Sequence, residues 1–185
     1  ALSWGAGTPL ISDRGFKLAR AVIDAGHRVF PIPGASALLA GLVVSGLPTD
    51  RFMFAGFLPP KQGARRAAIG ELADADATLI FYETGPRLAE SLADMAEVLG
   101  SRPAVVAREL TKMFEEARRA TLGELAAHYG EAGPPKGEIV VVIGPPEVKG
   151  EVSDEALDAF LLRALPRGVK EAASEAARDL GVPRK

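Results

Sequence analysis

The sequence predicts an α/β protein of two domains with a helical extension at its carboxyl end. Short apolar segments alternate with segments of helical periodicity, and turns rich in proline and glycine separate them. With 48% hydrophobic residues in a chain of 185, the protein can bury a substantial core. We assign residues 1–46 to the carboxyl-terminal part of a first α/β domain, 47–146 to a second α/β domain and 147–185 to the helical extension.

A glycine-rich loop at residues 5–15 opens the first domain. Gly5 and Gly7 allow a ligand to approach the backbone closely, and the helix after such a loop can turn free N–H groups towards it. Leu10 stands where the dinucleotide-binding motif needs its third glycine, and the Lys-Ser or Lys-Thr pair of a P-loop is missing. The loop is therefore a candidate ligand site, with an ordinary strand-to-helix turn as the alternative.

Helix and strand patterns then alternate up to Gly46. Apolar residues recur at i, i+3, i+4 and i+7 from Leu18 and predict an amphipathic helix that Gly26 ends. Ser36 is placed to cap a second helix of small residues. The chain has no initiator Met and begins like the end of a strand, so we expect an amino-terminal piece to be missing. The predicted elements are a helix over 18–25, a buried strand over 29–32 and a helix over 37–45.

The second domain is predicted from four apolar strands and the helices between them. The unbroken apolar run at 139–143 is typical of a strand that is covered on both faces. Thr121 is placed to cap the last helix of this domain. Strands are predicted over 52–58, 78–82, 103–107 and 139–143, and helices around Arg65, over 88–99 and over 121–129, with two more in the extension over 157–165 and 169–180.

Composition restricts the chemistry. The chain has no cysteine and only two histidines, His27 and His128, which excludes disulfides, thiolate chemistry and most zinc sites. We expect a reducing compartment and no metal, and no apolar run reaches the roughly 18 residues that span a bilayer. The net charge is −2, so attraction to nucleic acid must come from local patches; residues 47–70 and 163–185 each carry a surplus of three positive charges.

Three groups of polar residues are candidates for a functional role. Ser36 lies in a turn that resembles a nucleophile elbow, but the second glycine of that motif is missing, so a helix cap or a hydroxyl facing a ligand is the better interpretation. Glu83 and Glu109 each follow a strand and could act as general bases or pair with a neighbouring arginine. Arg65 and Arg66 could contact phosphates or belong to a solvated helix face.

Seven motifs follow one another along the chain in loops and at strand ends. They are GAGTPLISDRG (5–15), PIPGASA (31–37), GLPTDRF (46–52), GFLPPK (56–61), YE (82–83), ARELTK (107–112) and KGE (136–138). Together they closely resemble the ribosomal RNA small subunit methyltransferase I family of the tetrapyrrole-methylase-like superfamily. The resemblance implies S-adenosylmethionine bound between two α/β domains, a cytoplasmic homodimer, and methyl transfer to a cytidine ribose 2′-hydroxyl in the decoding region of small-subunit (16S) rRNA.

The resemblance also implies the residues of the site. Methyl transfer from a sulfonium needs an aligned donor and hydroxyl and a base, but no metal or covalent nucleophile. Glu109 and Lys112 are the candidates for the acceptor side, because they leave the strand end that would face the methyl group. The residues implied for the cofactor are Ala6, Gly7, Thr8, Ile11, Ser36 and Ala37 from the first domain, and Tyr82, Glu83, Ala107, Arg108, Lys136 and Gly137 from the second. The residues predicted to contact RNA are Lys61, Arg65, Arg66, Lys170 and Arg178.

The chain also departs from the family pattern. The family's leading strand and its Thr-Pro-Ile-Gly-Asn loop are missing, so we expect exposed apolar surface. Two alternatives to an rRNA enzyme follow: a precorrin-type tetrapyrrole methyltransferase of the same fold, against which the positive stretches argue, and a catalytically inactive RNA-binding or assembly module, which the loss of an acid at Gly5 favours. The departures are Trp4 for Ser, Gly5 for Asp, Arg14 for Pro, and Thr84-Gly85-Pro86-Arg87 for Ser-Pro-His-Arg.

Overall fold

The computed structural model describes residues 15–146 and 154–179. The chain divides into two compact units, one up to residue 146 and the other from residue 147. The first unit contains a five-stranded mixed sheet, and the described part of the second, residues 154–179, is helical. The boundary that the sequence predicts between a first and a second α/β domain, near residue 46, lies inside the first unit and stays a prediction.

The sheet of the first unit has the strand order β1-β2-β5-β3-β4. The last of the described strands in the sequence is thus the central one, and its apolar run explains the position, because five of its six residues are at most 2% exposed. Strands β1 and β2 are parallel, whereas β5 runs antiparallel to both β2 and β3, and β3 and β4 are antiparallel. The strands are β1 (Phe52–Phe57), β2 (Thr78–Thr84), β3 (Pro103–Arg108), β4 (Glu116–Thr121) and β5 (Glu138–Ile143).

Helices cover both faces of this sheet. On one face, the side chains of α3, α4 and α5 form the larger core together with alternate residues of the strands, among them Phe81, Val106 and Val141. On the other face, Leu38 and Leu42 of α2 pack against Ile80, Val105 and Val140 and their neighbours. The helices of this unit are α1 (Phe16–Asp24), α2 (Ala37–Ser45), α3 (Gln62–Gly70), α4 (Gly85–Leu99) and α5 (Leu122–Ala132).

Local sequence signals set the ends of these helices. Gly46 adopts a left-handed conformation (φ 75°) and ends α2. Thr121 and Glu124 form a capping box at the start of α5, in which each side chain satisfies a backbone N–H of the other residue. Ser36 occupies the N-cap position of α2 with extended backbone, but its side chain makes no capping hydrogen bond. The predicted cap at Thr121 is confirmed, and the predicted cap at Ser36 is confirmed in position alone.

One predicted strand is absent from the structure, and one observed strand was not predicted. Residues 29–32 are not a buried strand: Val29, Phe30 and Ile32 are exposed and the segment is irregular. A strand needs a hydrogen-bonded neighbour, and none of the five described strands lies beside this segment. Strand β4, in contrast, was not predicted, because its sequence EARRAT lacks the apolar pattern of a buried strand.

The second unit contains two α-helices joined by a short 3₁₀ turn. They are α6 (Asp154–Ala164) and α7 (Val169–Asp179), with the turn at Leu165–Arg167. Ala164, Ala172 and Ala176 are its buried small residues. Their spacing in α7 follows the helical period that the sequence predicts.

Among the residues that the structure describes, no helix is long and apolar enough to cross a membrane. Within the same ranges, 15–146 and 154–179, His, Asp and Glu side chains nowhere gather into a group that could hold a metal ion.

Candidate functional site

Most of the predicted site residues of the second domain meet at one edge of the sheet. The parallel strands β1 and β2 end there together, since Phe57 pairs with Tyr82. The antiparallel β5 begins there, because Glu138 pairs with Thr84 and Ile139 with Arg108 at the end of β3. We call this region the site edge; it consists of residues 58–61, 82–84, 107–112 and 136–138.

Tyr82 connects the site edge to the start of α2. Its ring packs edge-on against Phe54, at 4.8 Å between centroids, and against Phe57 at 5.6 Å. Burial raises the pKa of the Tyr82 phenol, and hydrogen bonds with the Leu38 backbone and the Ser36 side chain act against this rise. The structure thus brings Tyr82 together with Ser36, as the predicted cofactor set requires, on the sheet face that α2 covers.

Ala107 and Arg108 differ in what they present at this edge. Ala107 is fully buried in the smaller core beneath α2. Arg108 is half-buried, and its Nε donates to Glu116 Oε2 at 2.7 Å. Ala37, which follows Ser36 in the sequence, is exposed at the first position of α2. Of these three predicted cofactor residues, Ala37 is therefore the one with an open side chain.

Glu83 is buried inside β2 and does not follow the strand as the sequence predicts. It is 2% exposed, with Oε2 accepting from the Ser91 hydroxyl at 2.7 Å and Oε1 accepting from the Thr84 backbone at 2.8 Å. Arg87 Nε lies 3.5 Å from the same Oε1. The carboxylate is thus turned towards α4, away from Tyr82, and is neutralised by an arginine.

Glu109 and Lys112 form an ion pair in the loop after β3. Lys112 Nζ lies 3.1 Å from Glu109 Oε1 and 3.6 Å from Glu138 Oε2. The backbone N–H of Glu138 also donates to Glu109 Oε1, at 3.3 Å. The hydrogen bond from Lys112 holds the pKa of the Glu109 carboxyl below its usual value, despite partial burial. The loop therefore holds an ionised carboxylate beside an ammonium group.

Backbone geometry at this loop is unusual. Glu109 and Thr111 have positive φ angles of 49° and 66°, in a region that residues with a side chain rarely adopt. Gly137, with φ 96°, faces the Glu109 carboxylate so closely that a Cβ at this position would overlap it. Such strain tends to concentrate at functional sites. Lys136, the residue before Gly137, is exposed.

The predicted RNA residues near the start of α3 have different environments. Lys61 is exposed at the N-cap position of α3. Arg65 is only 2% exposed, with its Nε donating to Asp94 Oδ2 at 2.6 Å. Arg66 is partly exposed and binds Asp94 Oδ1 at 2.7 Å and also Glu97. The interpretation of this turn as a solvated face is therefore wrong for Arg65, whose partner stands 29 residues further along the chain.

A family model described as tetrapyrrole (corrin/porphyrin) methylases matches residues 2–126, more than half of the chain. The chain belongs to this family. The resemblance predicted from the seven motifs and the predicted fold class are both confirmed.

Two curated relatives that are closely similar to this chain are both called ribosomal RNA small subunit methyltransferase I. The relative from Mesorhizobium japonicum is 52% identical over 182 residues, which are 98% of this chain and 62% of the relative. The relative from Xylella fastidiosa is 48% identical over 100% of this chain and 69% of its own length. The chain thus spans about three fifths to two thirds of the length of these relatives.

A solved structure supports the family's fold. The uroporphyrin-III C-methyl transferase from Thermus thermophilus, complexed with S-adenyl homocysteine, matches with a TM-score of 0.51 and 22% identity. The match covers 74% of this chain and 62% of that one. At this identity the likeness concerns the fold.

Several predicted site residues lie wholly or partly outside the described part of the chain. Ala6, Gly7, Thr8 and Ile11 lie outside the described residues. The backbones of Lys170 and Arg178 belong to α7, but their side chains also lie outside the described part of the chain.

Sequence reasoning missed two residues that organise the site edge. Asp94 binds both Arg65 and Arg66, and Arg87 binds the backbone carbonyls of Leu58 and Pro59. Asp94 stands three positions after the buried Ser91, at the border of the apolar stripe of α4. A charged residue at such a border indicates a partly buried charge that needs a partner, and this was the signal in the sequence that could have identified Asp94.

Proposed function

We propose that this chain carries the cofactor-binding and catalytic part of an S-adenosylmethionine-dependent methyltransferase. Its substrate is small-subunit ribosomal RNA, and the acceptor is the 2′-hydroxyl of a cytidine ribose in the decoding region. The observation that supports this most strongly is the meeting of Tyr82, Glu109, Lys112 and Gly137 at one edge of the sheet, in a chain about half identical to relatives named for this RNA. The proposal includes a homodimer that works on the small ribosomal subunit in the cytoplasm.

The residues at the site edge fit S-adenosylmethionine in their chemistry. Gly137 has no side chain to obstruct a ligand, and the Tyr82 phenol and the Ser36 hydroxyl offer neutral hydrogen-bonding groups. Ser36, Ala37, Tyr82 and Gly137 would hold the cofactor, with Lys136 at the entrance. When bound, the cofactor supplies an activated methyl group on a sulfonium.

The chain's own contribution to the reaction is orientation and proton removal. Among the described residues, the hydrogen bonds to the Glu109 carboxylate converge on Oε1, which leaves Oε2 to receive the proton of the ribose hydroxyl. Lys112 keeps this carboxylate ionised and lies where it can also bind the oxygen as its proton leaves. The other predicted cofactor residues, Glu83, Ala107 and Arg108, support the site edge from within the sheet.

The first test is cofactor binding by the full-length protein, measured by isothermal titration with S-adenosylmethionine. Tyr82→Phe keeps the ring and removes the phenol oxygen, so we expect binding several-fold weaker than in the wild type. Tyr129→Phe is the matched control, because Tyr129 lies in the larger core on the opposite face of the sheet. The absence of binding heat at high cofactor concentration would refute the proposal.

The second test separates the candidate substrates. Tritium transfer from labelled cofactor is measured with small ribosomal subunits that lack the modification, and in parallel with a tetrapyrrole precursor. We expect transfer to the ribosomal subunits alone. Transfer to the tetrapyrrole instead would identify a tetrapyrrole methyltransferase, whereas ribosome binding without transfer, restored by Gly5→Asp, would identify an inactive assembly module.

A further inference from the structure

The backbone between β1 and α3 is held by arginine side chains. We call residues 58–61, with the sequence Leu-Pro-Pro-Lys, the proline segment. Arg87 Nη2 donates to the carbonyl oxygens of Leu58 at 2.7 Å and Pro59 at 3.3 Å. Arg65 Nη1 donates to the Pro60 carbonyl at 3.3 Å. Two arginines thus hold three successive carbonyls of a segment whose prolines have no N–H to donate.

Each of these arginines is backed by a buried carboxylate. Arg65 and Asp94 are both 2% exposed at their side chains and are joined at 2.6 Å. Arg87 Nε lies 3.5 Å from Glu83, whose side chain is 1% exposed, in an ion pair without a hydrogen bond. The carboxylates have further donors: Gln62 and Arg66 on Asp94, and the Ser91 hydroxyl on Glu83.

Stability alone is a poor explanation for this arrangement. Burying an ion pair costs desolvation energy, and well-packed apolar residues of similar volume often stabilise a fold at least as well. What a buried ion pair supplies that apolar packing does not is an arginine held in place, whose remaining N–H groups can donate in a fixed direction. Here both sets of donors point at the same short segment, so the arrangement fixes the position of the proline segment.

The proline segment presents one charged group outward. Lys61 is exposed, and its backbone carbonyl begins α3 by accepting from Arg65 N at 2.9 Å. The segment follows β1 at the site edge, and three strand spacings separate β1 from β3, which leads to Glu109. At about 4.8 Å per spacing this is about 14 Å. A short run of RNA can therefore reach from Lys61 to the Glu109–Lys112 pair.

We propose that the proline segment is an RNA-backbone contact in which Lys61 binds a phosphate near the target nucleotide, and that Arg65 and Arg87 are positioning residues that hold Lys61 in place. This inference rests on the proposed function and changes two of the predicted roles. Arg65 does not touch the RNA but positions the segment that does. Glu83 does not touch the cofactor but holds Arg87.

The test is a double-mutant cycle on RNA binding by the full-length protein. Binding of a fluorescein-labelled RNA hairpin with a single-stranded loop is measured by anisotropy at several salt concentrations, without cofactor. Lys61→Ala is expected to weaken binding about tenfold and to reduce the slope of log K against log salt by about 0.7, the value of one phosphate contact on a single strand. Lys61→Arg keeps the charge and is expected to retain most of the affinity.

Arg87→Lys keeps the charge but loses the paired donors that hold the segment. We expect RNA binding about fivefold weaker than in the wild type, the same loss of salt dependence as in Lys61→Ala, and no further loss when Arg87→Lys is added to Lys61→Ala. Arg102→Lys is the matched control, since Arg102 is also buried and binds a backbone carbonyl, that of Ala73 in the turn after α3. We expect it to leave RNA binding unchanged.

The outcomes decide between positioning and general support of the fold. Independent effects of Lys61→Ala and Arg87→Lys, or equal effects of Arg87→Lys and Arg102→Lys, would overturn the inference. Full RNA affinity in Lys61→Ala would do the same, even if methyl transfer is intact. Failure of the proposed function is seen separately, as lost cofactor binding or methyl transfer in the wild type, because the RNA measurement contains no cofactor.

Discussion

The Glu109 carboxylate occupies the position that a Cβ of residue 137 would take, and Gly137 leaves that position free. The turn before β5 and the loop after β3 therefore fit together only when residue 137 has no side chain. Because the same carboxylate accepts from Lys112 and from the backbone of Glu138, a change at Gly137 disturbs the whole Glu109–Lys112 pair.

We expect Gly137→Ala to lower the methyl-transfer rate at least tenfold, because it displaces the proposed base. It should also cost about 1 kcal/mol of unfolding free energy, since φ is 96°. Gly133→Ala is the control: φ is 78° there, but a Cβ would meet no atom within 4 Å. Equal loss of rate in the two variants, measured as kcat on small ribosomal subunits, would mean that backbone strain explains the effect and displacement of Glu109 does not.

The pH dependence of methyl transfer tests the role of Lys112. The hydrogen bond from Lys112 lowers the pKa of Glu109, so in the wild type the rate should fall only below the usual glutamate range. In Lys112→Met this support is lost, the pKa of Glu109 rises, and the acid limb of the rate profile should move to higher pH.

Glu109→Gln should lower kcat about a hundredfold or more and remove the acid limb, as expected when a general base is lost. An unchanged acid limb in Lys112→Met, measured from single-turnover rates between pH 4 and 8, would rule out Glu109 as the proton acceptor.

Asp94 makes the stability of the fold sensitive to acid. Burial alone would raise the pKa of its carboxyl, but hydrogen bonds from Arg66, Arg65 and Gln62 outweigh burial and lower the pKa. Its contribution to stability is therefore complete above the usual aspartate pKa of about 3.9 and is lost as the pH falls through the lower value in the folded protein.

In Asp94→Ala we expect a loss of about 3 to 5 kcal/mol at neutral pH, because Arg65 is left buried without its partner. Urea unfolding at neutral and acidic pH measures this loss. The difference from the wild type should shrink as the pH falls; a difference that is constant with pH would contradict the assignment.

The two N-cap positions offer a matched comparison. Thr121 caps α5 through a full capping box, so Thr121→Ala should cost about 1 kcal/mol of unfolding free energy. Ser36→Ala should cost less than half of this, because the Ser36 side chain makes no capping bond in α2. Equal costs in urea unfolding would mean that the hydrogen bond between the Ser36 hydroxyl and Tyr82 stabilises the fold as much as the capping box does.

Most elements of the second domain could be predicted because their patterns are local. The apolar run of β5, the stripe of α4 and the cap at Thr121 each contain their own signal within a few residues. Strand β4 could not be found in this way, because an edge strand with one neighbour tolerates charges such as Arg118 and Arg119. The segment 29–32 has a strand-like sequence but no described neighbour, and only the tertiary structure contains that information.

The loops of the candidate site could be predicted from the sequence, but the burial and the partners of its charged residues could not. The resemblance places Tyr82 and Gly137 together with Glu109, and the structure brings the three to one edge. The buried roles of Glu83 and Arg65 depend on partners in α4, which are distant in sequence for Arg65. No local sequence pattern distinguishes a charged residue in solvent from a buried one that is paired with a residue of another helix.

The central position of β5 has a consequence for the order in which the protein is made. The ribosome synthesises β1 and β2 first, then the antiparallel pair β3 and β4, and among the described strands only β5 is hydrogen-bonded to both pairs. Until residue 143 has left the exit tunnel, Glu109 lacks both Gly137 and the N–H of Glu138. The proposed active site is therefore assembled only when the last strand of the sheet is inserted, which keeps incomplete chains inactive.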